Sequence, residues 1–182
     1  MLRQTMRLLV ALLLATGSHA AEEATAPEDV EGPFVWGAAP NVTRLGHLWF
    51  AGQPDAAGLE AAKRSGIAVV VNMRETDEMS WDEAGAVEGL GIGYFSVPVS
   101  RSRPYSAQAF DRIAEIVEAN SGKQILIHCG NSNRAGAWLA TQLVQRDGIS
   151  VDEALAVARR AGLNQEPFVQ RVRDYLAESG DR

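Results

Sequence analysis

Ile67-Ala68-Val69-Val70-Val71-Asn72 is an apolar, largely β-branched run with no polar alternation. A strand open to water on one face alternates apolar and polar residues, so a strand that does not alternate is covered on both faces. Ile125-Leu126-Ile127 is a second such run, and Leu48-Trp49-Phe50 and Tyr94 to Val97 read as further short strands. Between them the apolar period changes to that of helices. Asp55 can cap a helix that Gly66 stops, and Asp82 to Leu90 puts Ala84, Val87 and Leu90 on one face. Ser106 opens a helix carrying Phe110, Ile113, Ile116 and Val117, and Gly122 closes it. Arg134 to Gln145 is the next helix, Ser150-Val151-Asp152-Glu153 is a capping box for another, and Glu166 to about Ala177 is a last amphipathic helix. Repeated strand–helix units predict an α/β fold, a mainly parallel central sheet flanked by helices on both faces. Such sheets hold their ligands outside the carboxyl ends of the strands.

The ends of the chain carry different signals. Arg3 and Arg7, the apolar run Leu8 to Ala15 and the small residues of Ser18-His19-Ala20 predict a cleaved export signal over residues 1–20. The apolar run is too short for a membrane anchor, which needs about 20 residues. The expected location is therefore the periplasm or the exterior, with no stable membrane anchor after cleavage. Residues 21–40 are acidic, contain Pro27, Gly32 and Pro33, and read as a flexible leader. One domain is expected over residues 41–179. Without its first 20 residues the chain keeps 15 basic and 23 acidic side chains, a formal charge of −8. A surface of that sign repels nucleic acid, so an anionic ligand needs a local cationic pocket.

Cys129 is the one cysteine. With three histidines, one of them in the signal, it makes no convincing metal site, and no cofactor is implied. Its surroundings are informative. In Ile125-Leu126-Ile127-His128-Cys129-Gly130-Asn131-Ser132-Asn133-Arg134 an apolar strand runs into a small polar loop and then at once into a helix. Loop amides and the first helical amides of such a turn can converge on an anion. Gly130, Asn131 and Asn133 suit the dihedrals of a tight cradle. Arg134 can offer a planar fork to an oxyanion, and the same field favours a thiolate at Cys129. These residues are the candidate nucleophile, anion cradle and charge stabiliser. His128 is counted with Cys129 and Arg134 as a candidate catalytic residue, orienting the loop backbone or transferring a proton, and Arg74, at the end of a neighbouring strand, is expected to reach the pocket and bind substrate.

His128-Cys129 with Arg134 resembles the signature of cysteine-dependent protein phosphatases. The wider pattern resembles a bacterial phosphatase-like family found with beta-lactamase-hydrolase-like proteins. Gly52-Gln53-Pro54, Val71-Asn72-Met73-Arg74, Val97-Pro98-Val99 and Ala158-Arg159-Arg160-Ala161-Gly162-Leu163 carry it together with the cysteine loop. The resemblance implies the fold of small dual-specificity phosphatases. It also implies attack by Cys129 on phosphorus and hydrolysis of a cysteinyl-phosphate, with a phosphorylated protein or small phosphate ester as substrate.

Three departures stand beside it. Four residues separate Cys129 from Arg134, where tyrosine phosphatases have five; rhodanese-type sulfurtransferases, which carry a persulfide, resemble the shorter spacing. Ala135 stands where a hydroxyl residue follows the arginine, so Ser132 is the candidate to hydrogen-bond the thiolate. The stretch Val97 to Pro104, where the family implies an acidic proton donor, contains Arg101 and Arg103 and no carboxylate. Glu75, Asp77 and Glu78 are the alternative acids, and the two arginines are candidates to gather a polyanion. A sulfurtransferase, or a phosphate-binding module with little turnover, are the competing readings.

Overall fold

The computed structural model describes residues 30–180, so the expected export signal and residues 21–29 of the expected leader lie outside the described residues. Six strands form one sheet: β1 (Val30–Trp36), β2 (Ala39–Leu45), β3 (Leu48–Ala51), β4 (Ile67–Asn72), β5 (Gly93–Ser96) and β6 (Gln124–His128). Their order is β1-β2-β3-β6-β4-β5. The four strands β3, β6, β4 and β5 pair in parallel, while β1 and β2 extend the sheet as an antiparallel hairpin. The helices are α1 (Ala56–Arg64), α2 (Glu83–Gly89), α3 (Ala107–Ala119), α4 (Asn133–Gln145), α5 (Val151–Arg160) and α6 (Glu166–Gly180).

The hairpin corrects the expected leader. Residues 30–36 are an edge strand, not a flexible tail. The reason is aromatic: Trp36 is buried and stacks on Trp49 with ring centroids 4.7 Å apart, and Phe34 packs against the same ring. Gly32 and Pro33 read as breakers in the sequence, but an edge strand tolerates both.

The non-alternating strands do lie between two apolar layers. Ile125, Ile127, Val69 and Val71 face a core shared with α3, α4, α5 and α6. Leu126, Val70 and Ile67 face the opposite core, where α1 and α2 supply Leu59, Ala62 and Val87. Burying one such side chain contributes about 1.5–3 kcal/mol, which fixes the register of the central strands. The capping signals hold as well. Asp55, Asp82, Ser106 and Ser150 each accept a hydrogen bond from an amide of the turn they open.

The topology creates one special edge. The α1 crossover joins β3 to β4 over one face, and α3 returns from β5 to β6 over the other. β6 is inserted between β3 and β4, so its carboxyl end is where the winding changes sides. Cys129 is the first residue beyond it.

Candidate active site

β6 delivers Cys129 to the floor of a cavity of about 300 Å³ whose walls include Glu78, Arg101, Arg134, Gln165 and Phe168. The thiol itself is almost fully buried. A larger, more open hollow of about 760 Å³ beside α3 contains no residue of the cysteine loop.

The loop is held from three sides. Cys129 N donates to Ala51 O, and Gln53 N donates to Gly130 O. Gly52 has no room for a side chain, since a Cβ there would lie 2.7 Å from Gly130 O and 2.4 Å from Pro40 Cγ. Asn41 donates to Asn131 O and so braces the loop. From the far side, Asn133 Oδ1 accepts from the amides of Asn164 and Gln165, both at 3.0 Å. This hooks the start of α4 to the turn between α5 and α6.

The left-handed residue of the loop is Ser132, with φ 66° and ψ −10°, rather than Gly130 or either asparagine. A non-glycine residue there costs on the order of 1–3 kcal/mol unless its surroundings enforce it. Ser132 is fully buried, and its hydroxyl donates to Ala161 O at 2.9 Å. Gly162 makes that approach possible, because a Cβ on it would stand 2.6 Å from Ser132 Cβ. The hydroxyl therefore fastens the loop to α5 and does not serve the thiol as expected. What the conformation leaves is a row of amides. Those of Gly130, Asn131, Asn133, Arg134 and Ala135 find no acceptor among the described residues. Together with the amino end of α4 they form a concavity of the kind that can accept an anion.

Arg134 is buried and fully engaged. Nη1 donates to Val99 O at 2.8 Å and Met73 O at 3.2 Å. Both terminal nitrogens meet the Glu78 carboxylate, at 2.6 and 2.7 Å, in a two-point fork. Burial alone would raise the Glu78 carboxyl, but the Arg134 fork, the Glu75 amide and the Arg74 charge outweigh it and hold the group below the usual glutamate range. Burial likewise works against the Arg134 cation, and its hydrogen bonds to Glu78 and the nearby Cys129 more than restore it. Of the three alternative acids, Glu78 is thus the one in the cavity wall. Glu75 lies outside it, paired with Arg103 at 3.0 Å and accepting from Arg101 N.

Two expected site residues are placed elsewhere. Arg74 does not line the cavity; its guanidinium donates to Gln53 Oε1 and to the backbone carbonyl of Glu78, bracing the turn that presents Glu78. His128 points to the opposite face of the sheet from Cys129, as neighbouring residues of a strand must. It is fully buried, with Nε2 3.1 Å from Glu83 Oε1 in an alignment that is not a hydrogen bond, and it makes no side-chain bond to the loop. Glu83 was missed in the sequence, where it reads as an ordinary acid in the first turn of α2. Its buried carboxylate accepts from Gln53 at 3.0 Å and Asn72 at 2.8 Å, and Asn72 also donates to Tyr94. Gln165 and Phe168 were missed too, since α6 gives no local sign that it reaches the loop. Among the described residues no cluster of histidine, cysteine and carboxylate side chains suits a metal ion.

Residues 39–172 match the family model described as DSP-PTPase phosphatase fused to NAD+ kinase. No curated protein matches the chain. Among solved structures, Tk-PTP in its active form superimposes with a TM-score of 0.64 at 22% identity, over 75% of this chain and 96% of that one. A cysteine-to-serine form of TpbA from P. aeruginosa, in complex with pTyr, gives 0.61 at 19% identity, over 74% and 82%. Kinase associated phosphatase, also with its catalytic cysteine replaced by serine, gives 0.64 at 15% identity, over 74% and 88%. At these identities the likeness is one of fold.

Proposed function

Given that the chain belongs to the DSP-PTPase phosphatase family described as fused to NAD+ kinase, we propose that it is an exported cysteine-dependent phosphatase that hydrolyses phosphate monoesters through a cysteinyl-phosphate. One observation carries the reading. Cys129, Arg134 and a row of amides with no acceptor meet at a single cavity at the carboxyl end of β6. A phosphoryl group there has its negative oxygens facing N–H donors and its phosphorus facing sulfur. Phosphoryl transfer is accelerated above all by oriented donors that stabilise the charge on those oxygens, and a buried, water-poor site strengthens the effect.

The steps follow from the parts. The Cys129 thiolate attacks phosphorus, the S–P bond forms, and the ester P–O bond breaks with its electron pair leaving on oxygen. Water then attacks phosphorus, the S–P bond breaks, and the thiolate and inorganic phosphate are released. The cradle amides hold the equatorial oxygens in both steps. Phe168 in the cavity wall supports an aryl ester such as phosphotyrosine, the ligand carried by the TpbA structure. Arg74, His128 and Ser132 act from behind, through the backbone they fasten or pack against. Export is supported by Arg3, Arg7, the apolar run after them and Ser18-His19-Ala20.

The test is a parallel assay on mature protein recovered outside the cytoplasm, where intact mass should start at Ala21. It should turn over an aryl phosphate and leave thiosulfate untouched. Cys129→Ser should lower phosphate turnover by at least about 10³-fold while inorganic phosphate still binds, because the amides remain. Full activity in that variant in metal-free buffer overturns the covalent mechanism. Thiosulfate turnover by the parent protein points instead to persulfide chemistry.

A further inference from the structure

A cysteinyl-phosphate mechanism needs a proton for the departing oxygen, and Val97 to Pro104 contains no carboxylate to give it. The cavity does contain one. Glu78 lines it beside Cys129 and Arg134, with a side chain only 7% exposed. Its two oxygens occupy the Arg134 fork at 2.6 and 2.7 Å, the bidentate arrangement that the same guanidinium would make with two phosphate oxygens. A carboxylate and a phosphate ester therefore compete for one cation.

We propose that Glu78 is the proton donor of the reaction, freed for that role when the substrate's phosphoryl group takes its place on Arg134. The proposal deepens the phosphatase reading and rests on it. Glu78 ends a single 3-10 turn, Thr76–Glu78, and is followed by extended backbone at Met79, so its side chain can swing without moving a helix. The charged groups that face it are few. Arg134 on α4 pairs with it, Arg74 at the end of β4 binds its backbone carbonyl, Glu75 lies in the same turn, and Cys129 and Arg101 share the cavity. Once Arg134 turns to the phosphoryl group, burial, the Glu75 charge and the incoming dianion all favour the protonated carboxyl, against Arg74, Arg101 and the Glu75 amide. The group takes its proton from solvent or from a monoanionic ester as the substrate enters. In the first step, as the P–O bond breaks, that proton passes from Glu78 to the leaving oxygen. In the second step the Glu78 carboxylate takes a proton from the water that attacks phosphorus, and the Cys129 thiolate departs.

A carboxylate that only held Arg134 in position would behave differently, and leaving groups tell the two apart. The experiment compares phenyl phosphate with p-nitrophenyl phosphate, whose leaving group needs little protonation, in the parent enzyme, Glu78→Gln and Glu78→Asp. Glu78→Gln should slow phenyl phosphate by about 10²–10⁴-fold and p-nitrophenyl phosphate by less than about 10-fold. It should also bind inorganic phosphate more tightly than the parent, since nothing anionic then holds the fork. Glu78→Asp should restore part of the phenyl phosphate rate. Equal losses with both esters, or unchanged phosphate affinity, sink the proposal and leave Glu78 as a positioning residue. If Glu78→Gln gives no cooperative melt, the parent enzyme decides: kcat for phenyl phosphate should fall on the alkaline side and kcat for p-nitrophenyl phosphate should not. Coincident profiles overturn the idea. Turnover that survives Cys129→Ser is a separate failure, that of the covalent reading, whatever the leaving groups do.

Discussion

His128 and Cys129 are neighbours at the end of one strand, yet they enter two different polar clusters, each with its own buried glutamate. On one face Cys129 and Arg134 meet Glu78 at a cavity. On the other, His128 lies against Glu83, whose oxygens are already taken by Gln53 and Asn72. Both carboxylates are removed from water, but only Glu78 has a partner that an incoming anion can claim. Glu83 accepts from two neutral amides on other elements and stays enclosed. The difference is one of exchangeability: an arginine fork at a cavity can trade ligands, whereas a carboxylate enclosed by fixed donors holds elements in place.

The largest expected break in that comparison is Arg134→Ala. It removes the exchangeable partner and should lower aryl phosphate turnover by about 10²–10³-fold while weakening phosphate binding, read as kcat and KM together. A loss confined to KM would remove Arg134 from transition-state stabilisation. Glu83→Gln is the matching change on the closed side. It sets an amide donor against the Asn72 or Gln53 donor, and thermal or urea unfolding should record a loss of about 1–3 kcal/mol with kcat/KM kept within a few-fold. A kinetic effect as large as that of Arg134→Ala would erase the distinction between the two clusters. The smallest effect is one of pH. A carboxyl held low in the folded state stabilises above its unfolded value of about 4.3, and that stability is lost as pH falls through the lower folded value. Glu78→Gln should therefore melt below the parent at pH 7, with the gap narrowing as pH falls below the ordinary glutamate range. A gap independent of pH would mean that the lost stability does not come from the ionised pair.

Sequence patterning predicted the layered sheet because its signals are local. The uninterrupted Ile67–Asn72 run, the capping side chains and the strand–loop–helix around Cys129 each declare themselves within a dozen residues. The hairpin of β1 and β2 did not, since what orders residues 30–36 is the stacking of Trp36 on Trp49 across the sheet. The cradle itself was legible, but the duties within it were only partly so. Ser132 takes the left-handed position expected of glycine or asparagine because Ala161 and Gly162, on a distant helix end, accept its hydroxyl and make room for it. Arg74 and His128 carry the right chemistry at the right strand ends, but their side chains are turned to Gln53 and Glu83. Glu78 was one of three equivalent acids until the fold set it against Arg134.

The hook at Asn133 has a further consequence for how the molecule breathes. Its side-chain oxygen gathers the amides of Asn164 and Gln165, so the turn from Cys129 to Arg134 and the corner between the last two helices are a single mechanical unit. A fluctuation that opens the turn must first unlatch that corner, and an oxyanion seated on the turn stiffens both. Hydrogen–deuterium exchange at residues 164 and 165 would then report occupancy of a site whose cysteine lies more than thirty residues earlier in the chain, a distant gauge of whether the cradle is full.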